Sequence, residues 1–150
     1  TRLVETNPPG SPGPDFPVES VTWREARDFV RKVGWILARE AQLPTREAHL
    51  AAIGAVQPAE LREGSWNSLN SSREIQPVGT SKPNDFGFHD LLGNVSEWLH
   101  ATEDPPGRVA AIGGSSRDNL LRLAEIPEES RSPDERNRFV GFRFTVRMNP

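Results

Sequence analysis

The chain has 150 residues, a net charge of -3, 12 glycines, 14 prolines and no cysteine. This size fits one compact domain, and the missing cysteine excludes disulfides, thiolate metal sites and cysteine nucleophiles. The high content of glycine and proline argues against a helical bundle, and the net negative charge argues against a nucleic-acid partner. No stretch approaches the roughly 20 consecutive apolar residues that a transmembrane helix needs.

The first 16 residues are rich in proline and glycine, which cannot sustain helix or strand hydrogen bonding. We therefore predict a lead-in or linker over residues 1–16, followed by a single domain over residues 17–150. Because the chain starts at Thr1 without a signal-like segment, we expect it to be part of a larger protein.

Two short helices are predicted after this lead-in. Thr22 and Glu25 have the spacing of a capping box, so the first helix should begin at Trp23 and continue as an amphipathic core helix. Gly34 is a plausible end or weak point of that helix. Thr45 is predicted to cap a second short helix nearby. The second helix should cover Arg46–Ile53.

The remainder of the chain indicates loops and short strands. Turn-forming residues interrupt residues 56–85, with one brief strand predicted at residues 76–79. Apolar side chains gathered in residues 91–99 suggest a buried turn. Strands are predicted over Val109–Ile112 and, as the last element, over residues 139–146, with a polar, irregular excursion between them.

Six blocks of residues occur in an order that resembles a known family. They are Pro17-Val18 with Val21-Thr22-Trp23 and Ala26, then Leu43-Pro44-Thr45, then Pro77-Val78-Gly79 with Pro83-Asn84 and Phe86-Gly87, then residues 90–98, then Gly113-Gly114-Ser115, and finally Gly141-Phe142-Arg143. The pattern is similar to the formylglycine-generating enzyme, or sulfatase-modifying factor, domain. The most specific block is Gly-Asn-Val-x-Glu-Trp at residues 93–98.

The resemblance covers about residues 17–147 and implies an α+β fold related to C-type lectins. Such a fold has two short helices beside small antiparallel sheets and much irregular structure. The family's N-terminal part is missing from this chain, so we expect either a removed segment or a minimal version of the domain. A second chain or domain that supplies this part is one expected partner.

The resemblance also implies which metal chemistry is closed to this chain. Oxidase members of the family bind copper through two cysteines in the segment after Gly-Gly-Ser, but residues 116–122 here contain none. Copper and cysteine oxidase activity is therefore excluded. His49, His89 and His100 lack the helical spacing of metal ligands, and we expect each to be a surface or half-buried structural histidine.

Many family members hold a structural calcium ion in the block around Glu97. The resemblance carries this site onto the side chains of Asp90 and Glu97 and the backbone carbonyls of Gly93 and Val95. These are oxygen ligands of the kind that Ca²⁺ prefers. The alternative is that Asp90 caps the turn while Glu97 forms an ion pair, and the sequence leaves both open.

The favoured function is a non-catalytic binding or scaffolding module, a pseudoenzyme, that presents the variable segment 116–138 to a protein or small ligand. Asp118 and Glu125 are isolated carboxylates, so no catalytic or cofactor-binding residues are assigned. Arg143 is expected to be a structural ion-pair partner. The alternative is an enzyme of the same superfamily that uses cysteine-independent chemistry or is completed by a missing segment or partner chain. The expected binding-surface residues are Ser116, Arg117, Asp118, Asn119, Arg131, Arg136 and Arg138.

Overall fold

The fold was obtained as a computed structural model that describes residues 13–101 and 107–148. Most of the predicted lead-in, residues 1–12, lies outside the described residues. Its last part forms a turn in which the Phe16 amide donates to the Gly13 carbonyl at 3.3 Å. The Val78 amide donates to the Asp15 carbonyl at 2.8 Å, so this turn is already attached to the domain.

Within residues 13–101 and 107–148, four helices and six short strands make up the α+β fold. In chain order they are α1 (Trp23–Leu37), β1 (Ala41–Gln42), α2 (Arg46–Ile53), α3 (Leu61–Gly64), β2 (Ser96–Trp98), β3 (Val109–Ile112), α4 (Leu120–Ala124), β4 (Glu128–Arg131), β5 (Val140–Gly141) and β6 (Thr145–Val146). None of the helices in residues 13–101 and 107–148 has the length and apolar character of a membrane span.

Both predicted helix starts are confirmed. The Thr22 hydroxyl accepts from the Glu25 amide at 3.1 Å and the Glu25 carboxylate accepts from the Thr22 amide at 2.9 Å, which is a complete capping box. The Thr45 hydroxyl caps α2 by accepting from the Ala48 amide at 3.1 Å. The first helix does not stop at Gly34 but runs to Leu37.

The strands form two sheets. The larger has the order β4-β3-β2-β5, with antiparallel pairs β4/β3 and β3/β2 and a parallel pair β2/β5 in which Ser96 lies opposite Val140. The smaller pairs β1 with β6 in antiparallel fashion, with Ala41 opposite Val146. The two sheets place the block at residues 93–98 in the centre of the molecule.

The last strand, predicted as one element over residues 139–146, is divided into β5 and β6, which belong to different sheets. At Gly141 the backbone passes so close to residue 18 that a Cβ would lie 2.4 Å from the Val18 carbonyl oxygen. This crossing, which only glycine permits, ends the pairing with β2. Residues 76–79 form a turn rather than the predicted strand, and the polar excursion contains α4 and β4.

Two tryptophans join α1 to the central block. Trp23 and Trp98 are 1% and 0% exposed, and each indole donates to a backbone carbonyl of the other segment: Trp23 Nε1 to Leu99 at 2.8 Å and Trp98 Nε1 to Val21 at 3.0 Å. Buried indoles with satisfied N–H groups are strong packing anchors. The core cluster around them contains Ala26, Val30, Leu43, Val109, Ala111 and Val140.

Candidate functional site

The block at residues 91–99, predicted as a buried turn, is buried throughout, but only its first part turns, because residues 96–98 form strand β2. Gly93 has φ +80°, and a Cβ there would lie 2.3 Å from the Trp66 carbonyl oxygen, so both its conformation and its neighbours require glycine. The next residue, Asn94, exchanges two side-chain hydrogen bonds with the Gln76 backbone at 2.9 and 3.0 Å. The turn is therefore fixed on both sides.

Glu97 lies in this block and is paired with Arg143. The guanidinium donates through Nε to Oε2 at 2.5 Å and through Nη2 to Oε1 at 2.7 Å, while Glu97 is 6% exposed. Nη2 also donates to the His89 carbonyl at 3.0 Å. Burial lowers the pKa of Arg143, but the hydrogen bonds and charge of Glu97 outweigh it and the pKa is raised. The pair is a bidentate, charge-assisted contact.

His49 lies beside this pair. Its ring is 1% exposed, and Nδ1 is 3.9 Å from Oε2 of Glu97. Within the described residues neither ring nitrogen has a hydrogen bond of good geometry. Burial lowers the pKa of His49; the Glu97 carboxylate opposes this shift, the Arg143 charge adds to it, and the nearby Leu91 backbone opposes it weakly. The expectation of a surface or half-buried residue is corrected, because α2 directs this side chain into the core.

Asp90 is hydrogen-bonded to the loop at residues 79–81. Its Oδ2 accepts from the Gly79 amide at 2.8 Å and its Oδ1 accepts from the Ser81 hydroxyl at 2.8 Å. Asp90 therefore ties the loop at residues 79–81 to the central turn. Its neighbour His89 contacts the Ser81 carbonyl through Nδ1 at 2.7 Å, which is a structural role, and His100 is exposed.

The calcium ligands predicted at residues 90–97 do not fit the ion in this arrangement. Both carboxylate oxygens of Glu97 are occupied by Arg143, whose positive charge would repel a cation, and both oxygens of Asp90 are hydrogen-bonded. Over residues 13–101 and 107–148, no three His, Cys, Asp or Glu side chains come together as a metal site. The contacts are those of the alternative, a turn cap at Asp90 and an ion pair at Glu97.

Two of the predicted binding-surface residues meet at one aromatic ring. The guanidinium carbons of Arg117 and Arg138 lie 5.0 and 5.7 Å from the ring centroid of Phe139. Arg138 also pairs with Glu74 at 2.7 Å. We call Arg117, Arg138 and Phe139 the Phe139 surface.

Three other predicted residues lie beneath or beside this surface. Ser116 is fully buried, its amide donates to the Asn94 carbonyl at 2.9 Å, and its carbonyl accepts from the Ser71 hydroxyl at 3.0 Å. Asp118 accepts from the Ser115 amide at 2.8 Å. Asn119 caps α4. These side chains hold the backbone on which Arg117 is carried.

Arg131 and Arg136 belong to other ion pairs. Arg131 contacts Glu129 and Glu135. Arg136 contacts Glu25 at 2.5 Å, and its hydrogen bond is the main reason that the pKa of Glu25 is lowered. The sequence missed Phe139 as a surface residue because it was assigned to the core of the last strand. The available signal in the sequence was that Phe139 directly follows the charged residue Arg138.

Comparison with known families gives a match over residues 2–148 to the sulfatase-modifying factor enzyme 1-like domain. The chain belongs to this family. The predicted resemblance and the α+β fold class of the formylglycine-generating enzyme are confirmed.

Two curated relatives are called inactive C-alpha-formylglycine-generating enzyme 2. The Mus musculus protein is 26% identical over 155 residues, which cover 86% of this chain and 48% of that protein. The Bos taurus protein is 32% identical over 103 residues, which cover 56% of this chain and 32% of that protein. The chain thus spans less than half the length of these relatives.

Two solved structures share the fold. Treponema denticola variable protein 1 has a TM-score of 0.76 at 22% identity, covering 96% of this chain and 76% of that one. PvdO from Pseudomonas aeruginosa has a TM-score of 0.80 at 17% identity, covering 91% and 64%. At these identities the likeness shows the fold alone.

Proposed function

We propose that the chain is a non-catalytic binding module of the sulfatase-modifying factor fold, and that the Phe139 surface binds its ligand. The observation that carries the proposal is the stacking of two guanidinium groups on one half-buried ring. The absence of cysteine and the relatives named as inactive support a role without oxidase chemistry.

The Phe139 surface suits an anionic group. Arg117 is exposed, and its guanidinium has no acidic partner within the described residues, while Arg138 shares its charge with Glu74 at 2.7 Å. A guanidinium held over an aromatic ring loses little conformational freedom when it binds a carboxylate or phosphate in bidentate fashion. The ligand class is therefore a protein or small molecule that presents such a group.

The backbone beneath the surface is rigid. Both the amide and the carbonyl of Ser116 are hydrogen-bonded within the core, and Asp118 and Asn119 fix the next turn. Binding groups carried on a fixed scaffold need little reorganisation. The predicted residues that do not reach the surface thus contribute by positioning Arg117.

Titration of the ¹⁵N-labelled chain with a triglutamate peptide tests the proposal by NMR. Shift changes are expected around Arg117 and Phe139, and removing both guanidinium groups in Arg117→Ala/Arg138→Ala should weaken binding by about tenfold or more. Arg46→Ala/Arg62→Ala, which removes two exposed arginines outside the Phe139 surface, is the control. Equal affinity of the double variant and the control would overturn this assignment of the surface.

Oxidase chemistry has its own assay. Incubation of the chain with a cysteine-containing peptide, copper and oxygen is expected to yield no peptide aldehyde, because no thiolate is available to the metal. Aldehyde formation above the level of a heat-unfolded control would overturn the non-catalytic part of the proposal. The binding part of the proposal would still be tested by the peptide titration.

Calcium binding at Asp90, Gly93, Val95 and Glu97 stays a prediction with a clear requirement. The ion has to share Glu97 with Arg143, whose guanidinium already donates to both carboxylate oxygens. Thermal melts in millimolar calcium and in chelator, with elemental analysis, decide it. A melting temperature that rises with calcium supports the ion, and identical melts without bound metal support the ion pair.

A further inference from the structure

A second surface, at the C-terminal half of α1, exposes apolar side chains to an unusual extent. Trp35, Ile36 and Met148 are 74%, 71% and 74% exposed. Phe29 and Phe144 are partly exposed and contact each other edge-on, with ring centroids 6.4 Å apart. Trp35 lies on a different side of α1 from Phe29 and Ile36, and of these residues only Trp35 lines the groove described next. Exposed large apolar side chains near one end of a domain are candidates for an interaction site. We call this region the α1–β6 face.

A groove of about 1150 Å³ crosses the α1–β6 face. One wall is the end of α1, with Arg31 and Trp35, and the other is the small sheet, with Gln42 and Thr145. Within the described residues β1 and β6 pair only with each other. The groove therefore places the apolar side chains of Trp35, Ala38 and Val146 beside a two-stranded sheet.

The charge at this face is positive although the chain as a whole is negative. Arg31 and Lys32 are exposed and have no acidic partner within the described residues, and the guanidinium of Arg39 contacts the sulfur of Met148, at 3.8 Å.

The acidic residues nearest to these cations in sequence already have partners. Asp28 pairs with Arg27 at 2.8 Å, and Glu40 pairs with Arg147 at 3.0 Å. Three cationic groups remain uncompensated around the groove.

We propose that the α1–β6 face docks an extended, acidic protein segment with alternating apolar side chains, which adds a strand to the β1–β6 sheet. Strand addition supplies main-chain hydrogen bonds, and alternate side chains fill the apolar groove while the others meet the arginines and lysine. A concave groove beside strand backbone favours a peptide over a flat lipid surface. The two solved structures contain additional chain beyond the part that this chain matches, 24% and 36% of their length by difference from 76% and 64%.

The test uses the full chain and the peptide acetyl-Val-Glu-Val-Glu-Val-Glu-Val-amide, followed by NMR shifts and by calorimetry. Saturable binding is expected, with shift changes in the C-terminal half of α1, β1 and β6 that persist in Arg117→Ala/Arg138→Ala, the variant that lacks the arginines of the Phe139 surface. Charge reversal by Arg31→Glu/Arg39→Glu should weaken it by about tenfold or more, as should replacing the glutamates of the peptide with lysine. The control, Arg73→Glu/Lys82→Glu, makes the same charge change at exposed residues elsewhere and should leave affinity within about twofold.

Three outcomes would overturn the proposal. The first is no saturable binding of the acidic peptide. The second is binding to vesicles containing about one-third phosphatidylglycerol that exceeds peptide binding and is lost in Arg31→Glu/Arg39→Glu, which would assign the face to a membrane. The third is a dimer, seen by sedimentation, that Trp35→Ser/Ile36→Ser dissociates, which would assign the face to a second copy. Both substitutions lie at exposed positions, so folding is retained.

Discussion

The buried turn at residues 90–99 and the arginine-rich segment at residues 116–138 handle charge in opposite ways. In the turn, one carboxylate, Glu97, is 6% exposed and is satisfied by the single guanidinium of Arg143. In the arginine-rich segment, pairs such as Arg122 with Glu129 lie at the surface, with side chains 45% and 39% exposed. The same pairing chemistry is therefore placed in two different solvent environments.

The two regions differ in how strongly the free energy of unfolding depends on each charge. An exposed ion pair exchanges water contacts for a weak, screened attraction and contributes between zero and about 1 kcal/mol. A buried ion pair adds little to the free energy of unfolding compared with an apolar pair of the same size. Removing one partner, however, leaves the other charge buried and unpaired, which costs about 3 to 5 kcal/mol. Charges in the turn should thus be individually indispensable, and those in the segment individually replaceable.

The largest expected effect concerns the backbone of the turn. Gly93→Ala should destabilise the fold by about 4 kcal/mol, because it adds left-handed strain and a clash with the Trp66 carbonyl. Gly79→Ala is the matched control, since φ there is +69° but no atom lies within 4 Å of a Cβ, and about 1 kcal/mol is expected. Urea unfolding measures both. Equal losses would show that the turn is less confined than described.

Removing the half-buried cation of Arg143 comes next. Arg143→Ala should cost about 3 kcal/mol in unfolding free energy because it strands Glu97. Arg147→Ala breaks an ion pair whose side chains are 77% and 78% exposed and should cost under about 0.5 kcal/mol. Adding Glu97→Gln to Arg143→Ala should recover part of the loss. No recovery in the double variant would mean that Arg143 acts through packing rather than charge.

Acid should weaken the turn through His49. Burial lowers the pKa of His49 below its ordinary value of 6.5, so the unfolded chain binds the proton first. The contribution of neutral His49 to the free energy of unfolding is then fully present above pH 6.5. It declines as the pH falls from 7 toward 5, by up to about 1.4 kcal/mol per pH unit. Glu97 and Arg143 are the charged groups that face the ring, and the lowered pKa of Glu25 acts only below about 4.5.

The check on His49 is a comparison of slopes. His49→Phe should flatten the dependence of unfolding free energy on pH between 7 and 5, while the exposed His100→Asn should leave it unchanged. Identical slopes in wild type and His49→Phe would place the titrating group elsewhere.

The smallest expected effect lies in the arginine-rich segment. Arg122→Ser removes contacts to Asp118 at 3.0 Å and to Glu129 at 2.9 Å, yet the arginine is 45% exposed. A loss below about 1 kcal/mol is expected by thermal melting. A loss comparable to that of Arg143→Ala would remove the contrast between the two regions.

Local signals in the sequence predicted the helices well. Capping by Thr22 and Thr45 depends on residues three positions apart, which the sequence displays directly. The strand β4 was not predictable, because Glu128–Arg131 has no apolar alternation and lies at the edge of the sheet, where pairing comes from the β3 backbone. The same reasoning explains the divided last strand, since the crossing at Gly141 involves residue 18.

The candidate site was predictable only in part. The blocks that carry Glu97 and Arg143 were both visible, and an ion pair was among the expectations for each. The bond between them spans 46 residues, however, and no periodicity encodes it. The position of His49 beside them depends on the orientation of α2, which tertiary packing sets. Arg117 was recognised from its place in the variable segment, but its stacking on Phe139 required the fold.

The pairing of β1 with β6 has a consequence for the order in which the protein is made. Thr145 and Gln42, whose side chain and carbonyl meet in this pair, are 103 residues apart in sequence. Contacts of such long range form slowly, because the loop between them has to close before any contact is gained. A ribosome that has finished α1 holds a helix whose sheet partners do not yet exist. Until residues 140–146 emerge, the apolar side of that helix lacks Val140, one of its partners in the core.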